Sequence, residues 1–262
     1  MEPTLTPPRR VRLAELTREE LQRRLPEATV VIPIGATEQH GPHLPLMTDH
    51  LMAETIALRA AEQMPARVDV LVTPVLPFGC SSHHLAVGGA LSISQRTYIA
   101  VLVDLAECVA RMGGKRLVIL NGHGGNEDPM RVAANELVFE KRLGMAVAAA
   151  SYWTIGRAAV EQLPFRGPGH AGHFETSCVM AVRPELPHLE QRFPPDREPR
   201  PLAVSGQVNG VSVRVPGIWE ASAGVSDAAD QASAELGEQT IAAIVRATAD
   251  FLVAFHERPP LQ

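Results

Sequence analysis

The six residues Thr29-Val-Val-Ile-Pro-Ile34 constrain this chain more than any other segment. The run is too short for a buried helix and lacks the alternation of a half-exposed strand. It reads as a strand buried on both faces, the condition found inside a parallel sheet covered by helices. Comparable strand signals recur at Asp69 to Pro74, Arg116-Leu-Val-Ile-Leu120 and Met145 to Ala150. Helix signals lie between them. Thr17-Arg-Glu-Glu20 is a capping box opening a short helix that stops near Pro26. Asp49 is expected to cap a helix from about His50 to Met64, and Ser94 a helix through Met112 that ends at Gly113-Gly114. A further helix is expected from about Asp128 to Leu143, a buried one beginning along Cys178-Val-Met-Ala-Val182, and an alanine-rich amphipathic one from Ser226 to roughly His256. This alternation predicts an α/β sandwich with helices on both faces of a mostly parallel sheet. In such folds ligands gather beyond the carboxyl ends of the strands.

Length and charge narrow the function classes. With 262 residues, 45% of them hydrophobic, the chain can fill one large core, and a single domain over 1–262 is expected. A net charge of −5 without a dense Lys/Arg run gives no footprint for nucleic acid or for an anionic membrane surface. No apolar run reaches the length of a membrane span, and the short polar N-terminus predicts no targeting segment. A small soluble molecule is the expected partner. Cys80, Cys108 and Cys178 are odd in number and lack Cys-x-x-Cys spacing, which fits reduced thiols in a cytoplasm. The proline- and charge-rich stretch from Arg183 to about Leu202 reads as a surface excursion or an oligomer contact.

Three glycine-punctuated runs carry the candidate chemistry. Thr37-Glu-Gln-His-Gly-Pro-His-Leu-Pro-Leu-Met-Thr-Asp49 follows the first strand, Asn121-Gly-His-Gly-Gly-Asn126 follows the third, and Gly169-His-Ala-Gly-His-Phe-Glu-Thr-Ser177 comes later. They offer oxygen and nitrogen donors without thiolates, a set that zinc, manganese or iron accepts. Two ions sharing one carboxylate can bring a bridging water towards ionisation at neutral pH. The shared group is expected to be Asp49, with Glu38, Asp49 and His123 holding one ion and His40, Asp49 and Glu175 the other. Taken singly, each residue also has a plainer role: a cap, a loop polar group, or for His123 a turn between glycines. Their concentration argues for metal. His43 either orients Asp49 or faces solvent. His170 and His173 are candidate proton carriers or loop residues, and His170 is the better candidate.

Together the three runs closely resemble the creatininase (creatinine amidohydrolase) family, from about Glu15 to the final helix, with a looser match over Pro77 to Ser92. The resemblance implies a three-layer α/β/α sandwich and a centre of two divalent ions, Zn, Mn or Fe. It also implies hydrolysis of a non-peptide C–N bond, commonly in a cyclic amide, by a homo-oligomer, with a hexamer favoured. By position, Glu38, His40, Asp49 and His123 match the family's metal ligands, and His170 matches the histidine that shuttles a proton. Two departures stand out. Creatininase has a liganding glutamate two residues after the histidine matching His123, where this chain has Gly125, and Glu175 is the nearest replacement as ligand and catalytic carboxylate. It also has an acid just before the histidine matching His170, where this chain has Gly169, so creatinine is not the expected substrate. The chain further carries Val87-Gly-Gly-Ala90 in place of a Phe-Pro-Gly-Thr run. Trp153 and Trp219 could wall a pocket for a flat ring or belong to the core. Other readings are a hydrolase of a keto-inositol or lactone ring, a peptidase of a precursor peptide, and a metal-binding structural subunit.

Overall fold

The computed structural model describes residues 10–162, 164, 167–194, 206–208 and 211–258. Helix α1 (Arg18–Arg24) opens on the expected capping box: the Thr17 hydroxyl accepts from the Glu20 N–H, and the Glu20 carboxylate accepts from the Thr17 N–H at 2.8 Å. There follow β1 (Thr29–Ile34), α2 (Thr48–Glu62), β2 (Val70–Val72), α3 (Gln95–Arg111), β3 (Arg116–Asn121), α4 (Glu127–Asn135) and β4 (Ala146–Ser151). Two short helices, α5 (Tyr152–Ile155) and α6 (Arg157–Val160), lead to α7 (His173–Val182). A small antiparallel pair, β5 (Gly206–Val208) and β6 (Val211–Val213), precedes α8 (Ile218–Ala221) and the long α9 (Ala234–Glu257).

The main sheet runs β2-β1-β3-β4 with every pairing parallel. Its strands place alternate side chains on opposite faces. Val31, Val118 and Leu120 face a core completed by α2, α7 and α9, with Met52, Ile56, Cys178 and Ile244 buried there. Val30, Ile32, Ile34, Leu117 and Ile119 face a second core closed by α3 and α4 through Tyr98, Leu102, Met130 and Ala133. This is the three-layer α/β/α sandwich, and the apolar runs form strands because both of their faces are buried.

Register sets the position of the site. Ile34 pairs with Asn121 and Asn121 with Ser151, so three strands end level and deliver their loops to one edge. Among the described residues no helix is long and apolar enough to cross a membrane.

Four local expectations are corrected. Asp49 is not a cap: α2 begins at Thr48, its N-cap Met47 makes no side-chain hydrogen bond, and the Asp49 carboxylate turns inward instead. The helix after β3 starts at Glu127 and, past Asn135, widens into a π-helical turn over Glu136–Glu140. Helix α7 starts at His173, ahead of Cys178. The last helix starts at Ala234, where the Ser233 hydroxyl accepts from the Leu236 N–H, well after Ser226.

Candidate metal centre

The first donor run enters through two close approaches. A Cβ on Gly35 would sit 2.5 Å from the backbone of His50, and one on Gly122 would sit 2.5 Å from the Asp49 carbonyl oxygen. Without side chains there, the first turn of α2 docks against the ends of β1 and β3. Asp49 is thereby carried to the sheet edge.

The two asparagines of the second run act as clamps. Asn121 holds the His123 backbone from both sides: its Oδ1 accepts from the His123 N–H at 3.0 Å, and its Nδ2 donates to the His123 carbonyl at 2.6 Å. Asn126 donates to the Gly35 carbonyl at 3.0 Å and accepts from the Cys80 N–H at 2.9 Å, tying the loops after β1 and β2 together. The third run supplies Glu175 from the first turn of α7, where Oε2 accepts from the Ala171 N–H at 2.6 Å. Ala171 has a φ of 56°, a left-handed conformation that costs a non-glycine residue about 1 to 2 kcal/mol.

Glu38, His40, Asp49, His123, His170 and Glu175 all converge in one buried cluster. Asp49 lies at its middle, with Oδ1 3.0 Å from His40 Nε2 and Oδ2 3.0 Å from His123 Nδ1. Glu38 Oε1 lies 3.2 Å from His123 Nδ1 and 3.8 Å from His170 Nδ1, while Glu175 Oε2 lies 3.7 Å from His40 Nε2. His40, Asp49 and Glu175 form one group with donor atoms within 4.8 Å of one another, and Glu38, His40 and His170 form a second.

Three histidines share one arrangement. His40 Nδ1 contacts the Glu38 carbonyl at 3.1 Å, His123 Nε2 the Cys80 carbonyl at 3.3 Å, and His170 Nε2 the Gln39 carbonyl at 2.8 Å. A nitrogen facing a carbonyl carries the proton, so the other nitrogen is left turned towards the carboxylates. That is the tautomer control seen around metal-bound imidazoles. Asp49 Oδ2 and Glu38 Oε2 are buried without an aligned hydrogen bond, a costly state for a carboxylate oxygen unless a cation joins it.

The electrostatics follow from this crowding. Burial opposes a charge on His40, but Asp49 and Glu175 outweigh it and hold its pKa well above the usual histidine range. Burial likewise opposes a charge on His123, and Glu38 and Asp49 raise it well above that range. Glu38 resists the upward push of burial because His123 and His84 hold its carboxyl well below the usual range. Burial pushes Glu175 up, only partly offset by His40. Burial and the nearby charge of His40 push His170 well down, which keeps its ring neutral.

The structure adds residues that sequence reasoning left in a loosely matching segment. His83 and His84 sit on a 3-10 turn after β2, and His84 Nε2 lies 3.4 Å from Glu38 Oε1. Gln39, unremarked between two ligand candidates, donates from Nε2 towards His84 Nδ1 at 2.8 Å and to the Gly224 carbonyl at 2.9 Å. The signal was two adjacent histidines beyond a strand's carboxyl end. Trp219 covers His84 and His170, with ring centroids 4.3 and 5.1 Å away. Trp153 packs edge-on against Tyr152 in the helical layer and belongs to the core. His43 bonds Thr176 at 2.9 Å and His173 pairs with Asp230 at 3.0 Å, so both buttress the α7 region.

The fold and this cluster define an α/β/α protein with a histidine–carboxylate centre, of the kind divalent ions occupy, beyond its strand ends. A family model for creatinine amidohydrolase matches residues 14–252, and the chain belongs to that creatininase family. It is 34% identical over 163 residues to the mycofactocin precursor peptide peptidase of Mycobacterium ulcerans (strain Agy99), covering 60% of each chain. This chain therefore spans less than two thirds of that relative. It is 31% identical over 197 residues to the creatinine amidohydrolase of Pseudomonas putida, covering 68% of this chain and 74% of that one. A solved manganese form of creatininase superposes with a TM-score of 0.77 at 27% identity, covering 95% of this chain and 100% of the other.

Proposed function

We propose that this protein hydrolyses a C–N bond in a small, cyclic amide at a centre of two divalent ions. Glu38, Asp49 and His123 hold one ion, and His40, Asp49 and Glu175 hold the other. The observation that carries this reading is the Asp49 carboxylate, whose two oxygens each lie 3.0 Å from a different histidine nitrogen. A carboxylate so placed would hold the metal-binding groups of both His40 and His123 within its reach. The residues fit the ions in a second respect, since buried carboxylate oxygens of Glu38 and Asp49 have no aligned donor. An all oxygen and nitrogen donor set suits zinc, manganese or iron.

When bound, such a pair lowers the pKa of water held between the ions and polarises a substrate carbonyl. The chain's own residues supply the rest. His170 is neutral, its Nε2–H is held by the Gln39 carbonyl, and its Nδ1 faces the centre. That nitrogen takes a proton during attack on the carbonyl and returns it to the departing ring nitrogen. Trp219 gives a flat apolar wall beside it, suited to a planar ring. Creatinine is not the favoured substrate, because Gly125 and Gly169 replace two acids of creatininase. On Gly169 a Cβ would lie 1.9 Å from the Asp227 carboxylate, which fills that space. The same reading makes the protein one domain that works as a cytoplasmic homo-oligomer, a hexamer in size.

The test combines metal analysis with a substrate screen. Two zinc or manganese ions per chain are expected, and Asp49→Ala should lose both metal and turnover. A screen of lactams and cyclic ureides against inososes and lactones should show turnover on the first group. Full activity and unchanged metal content in Asp49→Ala, or turnover confined to inososes and lactones, would overturn the proposal.

A further inference from the structure

We propose that His83 is a metal ligand of this centre, joining Glu38 and His123 around their shared ion; this rests on the two-ion reading above. The donor atoms of Glu38, His83 and His123 lie within 4.8 Å of one another. Ligand atoms on a tetrahedral zinc with bonds of roughly 2.0 to 2.3 Å stand about 3.3 to 3.8 Å apart, so the three close on an ion by small side-chain rotations. The His83 ring lies parallel to that of His123, with an interplanar angle of 4° and centroids 5.7 Å apart.

Two further observations separate His83 from an ordinary loop histidine. His40, His84, His123 and His170 each commit a ring nitrogen to a partner, whereas His83 makes no side-chain hydrogen bond among the described residues. It nevertheless packs beside both His123 and Trp219, with ring centroids 5.7 and 5.5 Å from its own. Gly125 supplies the second observation. A Cβ there would lie 2.2 Å from the Cys80 carbonyl oxygen, 2.5 Å from His123 Nε2 and 3.0 Å from His83 Cε1. The space a side chain at that position would use is already taken, in part by His83. An imidazole from the loop after β2 thus stands beside His123, in space that a side chain at position 125 would need.

The consequence is an unequal pair of sites. The ion beside Glu38 and His123 gains a second imidazole, while the ion of His40, Asp49 and Glu175 keeps one imidazole and two carboxylates. Nitrogen-rich sites favour zinc over manganese, so the two positions should separate by metal type.

The experiment titrates the metal-free full-length protein with Zn²⁺ against a competing chelator, and separately with Co²⁺ while the visible absorption is read. The expected wild-type result is two zinc ions per chain. His83→Ala should hold one with unchanged affinity and bind the other about tenfold or more weakly, with an altered cobalt spectrum. His83→Gln keeps a polar side chain of similar size and should show the same loss, which covers the case of a poorly folding alanine variant. His188→Ala, at a side chain 64% exposed, should match wild type. Two zinc ions at wild-type affinity and an unchanged cobalt spectrum in both His83 variants would overturn the assignment alone. Fewer than two ions in the wild type would overturn the two-ion reading and this assignment with it.

Discussion

Asp49 Oδ2 and His123 Nδ1 stand 3.0 Å apart, joining the first turn of α2 to the loop after β3, yet they form no aligned hydrogen bond. Held this close, the carboxylate favours the charged form of the imidazole in metal-free protein. In metal-free protein His40 and His123 have raised pKa values, so a metal ion must displace their protons to bind. Zinc affinity should therefore increase with pH across the neutral range. Calorimetry in two buffers of different ionisation enthalpy should read net proton release, and no release would contradict the arrangement.

The same groups set the sign of the stability profile. A histidine whose folded pKa is raised stabilises the metal-free fold fully below its unfolded value of about 6.5, and that contribution is lost as pH rises through the folded pKa. Glu38, held low, contributes above about pH 4.3 and loses its contribution as pH falls through its folded value. The melting temperature of metal-free protein should accordingly peak in weakly acidic buffer and decline above neutrality. Saturating zinc should abolish the alkaline decline, which thermal scans on both sides of neutrality can check.

Gln39 joins His84 and Gly224 through its side-chain amide and His170 through its backbone carbonyl. Gln39→Leu keeps the size but removes the donors, leaving His84 Nδ1 and the Gly224 carbonyl without this partner. We expect roughly 10- to 100-fold loss of kcat, as for other groups that orient a metal centre, with two ions still bound. Metal analysis alongside steady-state kinetics separates this from a loss of ligands.

Gly122 admits the α2 turn to the strand ends, and a Cβ there would meet Asp49 backbone and the Ala53 side chain. Gly122→Ala should cost about 1 to 3 kcal/mol of stability through overpacking. Because the displaced backbone is that of Asp49, zinc affinity should fall as well. A variant that melts earlier but binds zinc normally would show that the turn yields without moving the carboxylate.

Trp219 is half-buried over the histidine cluster, so its removal leaves the core intact. Trp219→Ala should raise KM for a flat cyclic substrate by about 2- to 10-fold, the value of an aromatic contact of roughly 0.5 to 1.5 kcal/mol, with a smaller change in kcat. An unchanged KM would remove it from the substrate wall.

The sequence alone determined the layers. Runs such as Thr29–Ile34 and Arg116–Asn121 specify doubly buried strands because hydrophobic burial is local and periodic, and the Thr17 capping box and the Ser94 cap use partners three residues away. The motifs also named the residues that meet at the sheet edge. Tertiary structure decided what those residues do there. Asp49 looked like a helix cap because a cap is a local pattern, but its carboxylate is drawn inward by two histidines that the chain brings from separate loops. Gln39 and His83 gave no periodic or capping signal, since their importance lies in distances to Gly224, His170 and His123 that only the packed sheet and helices set.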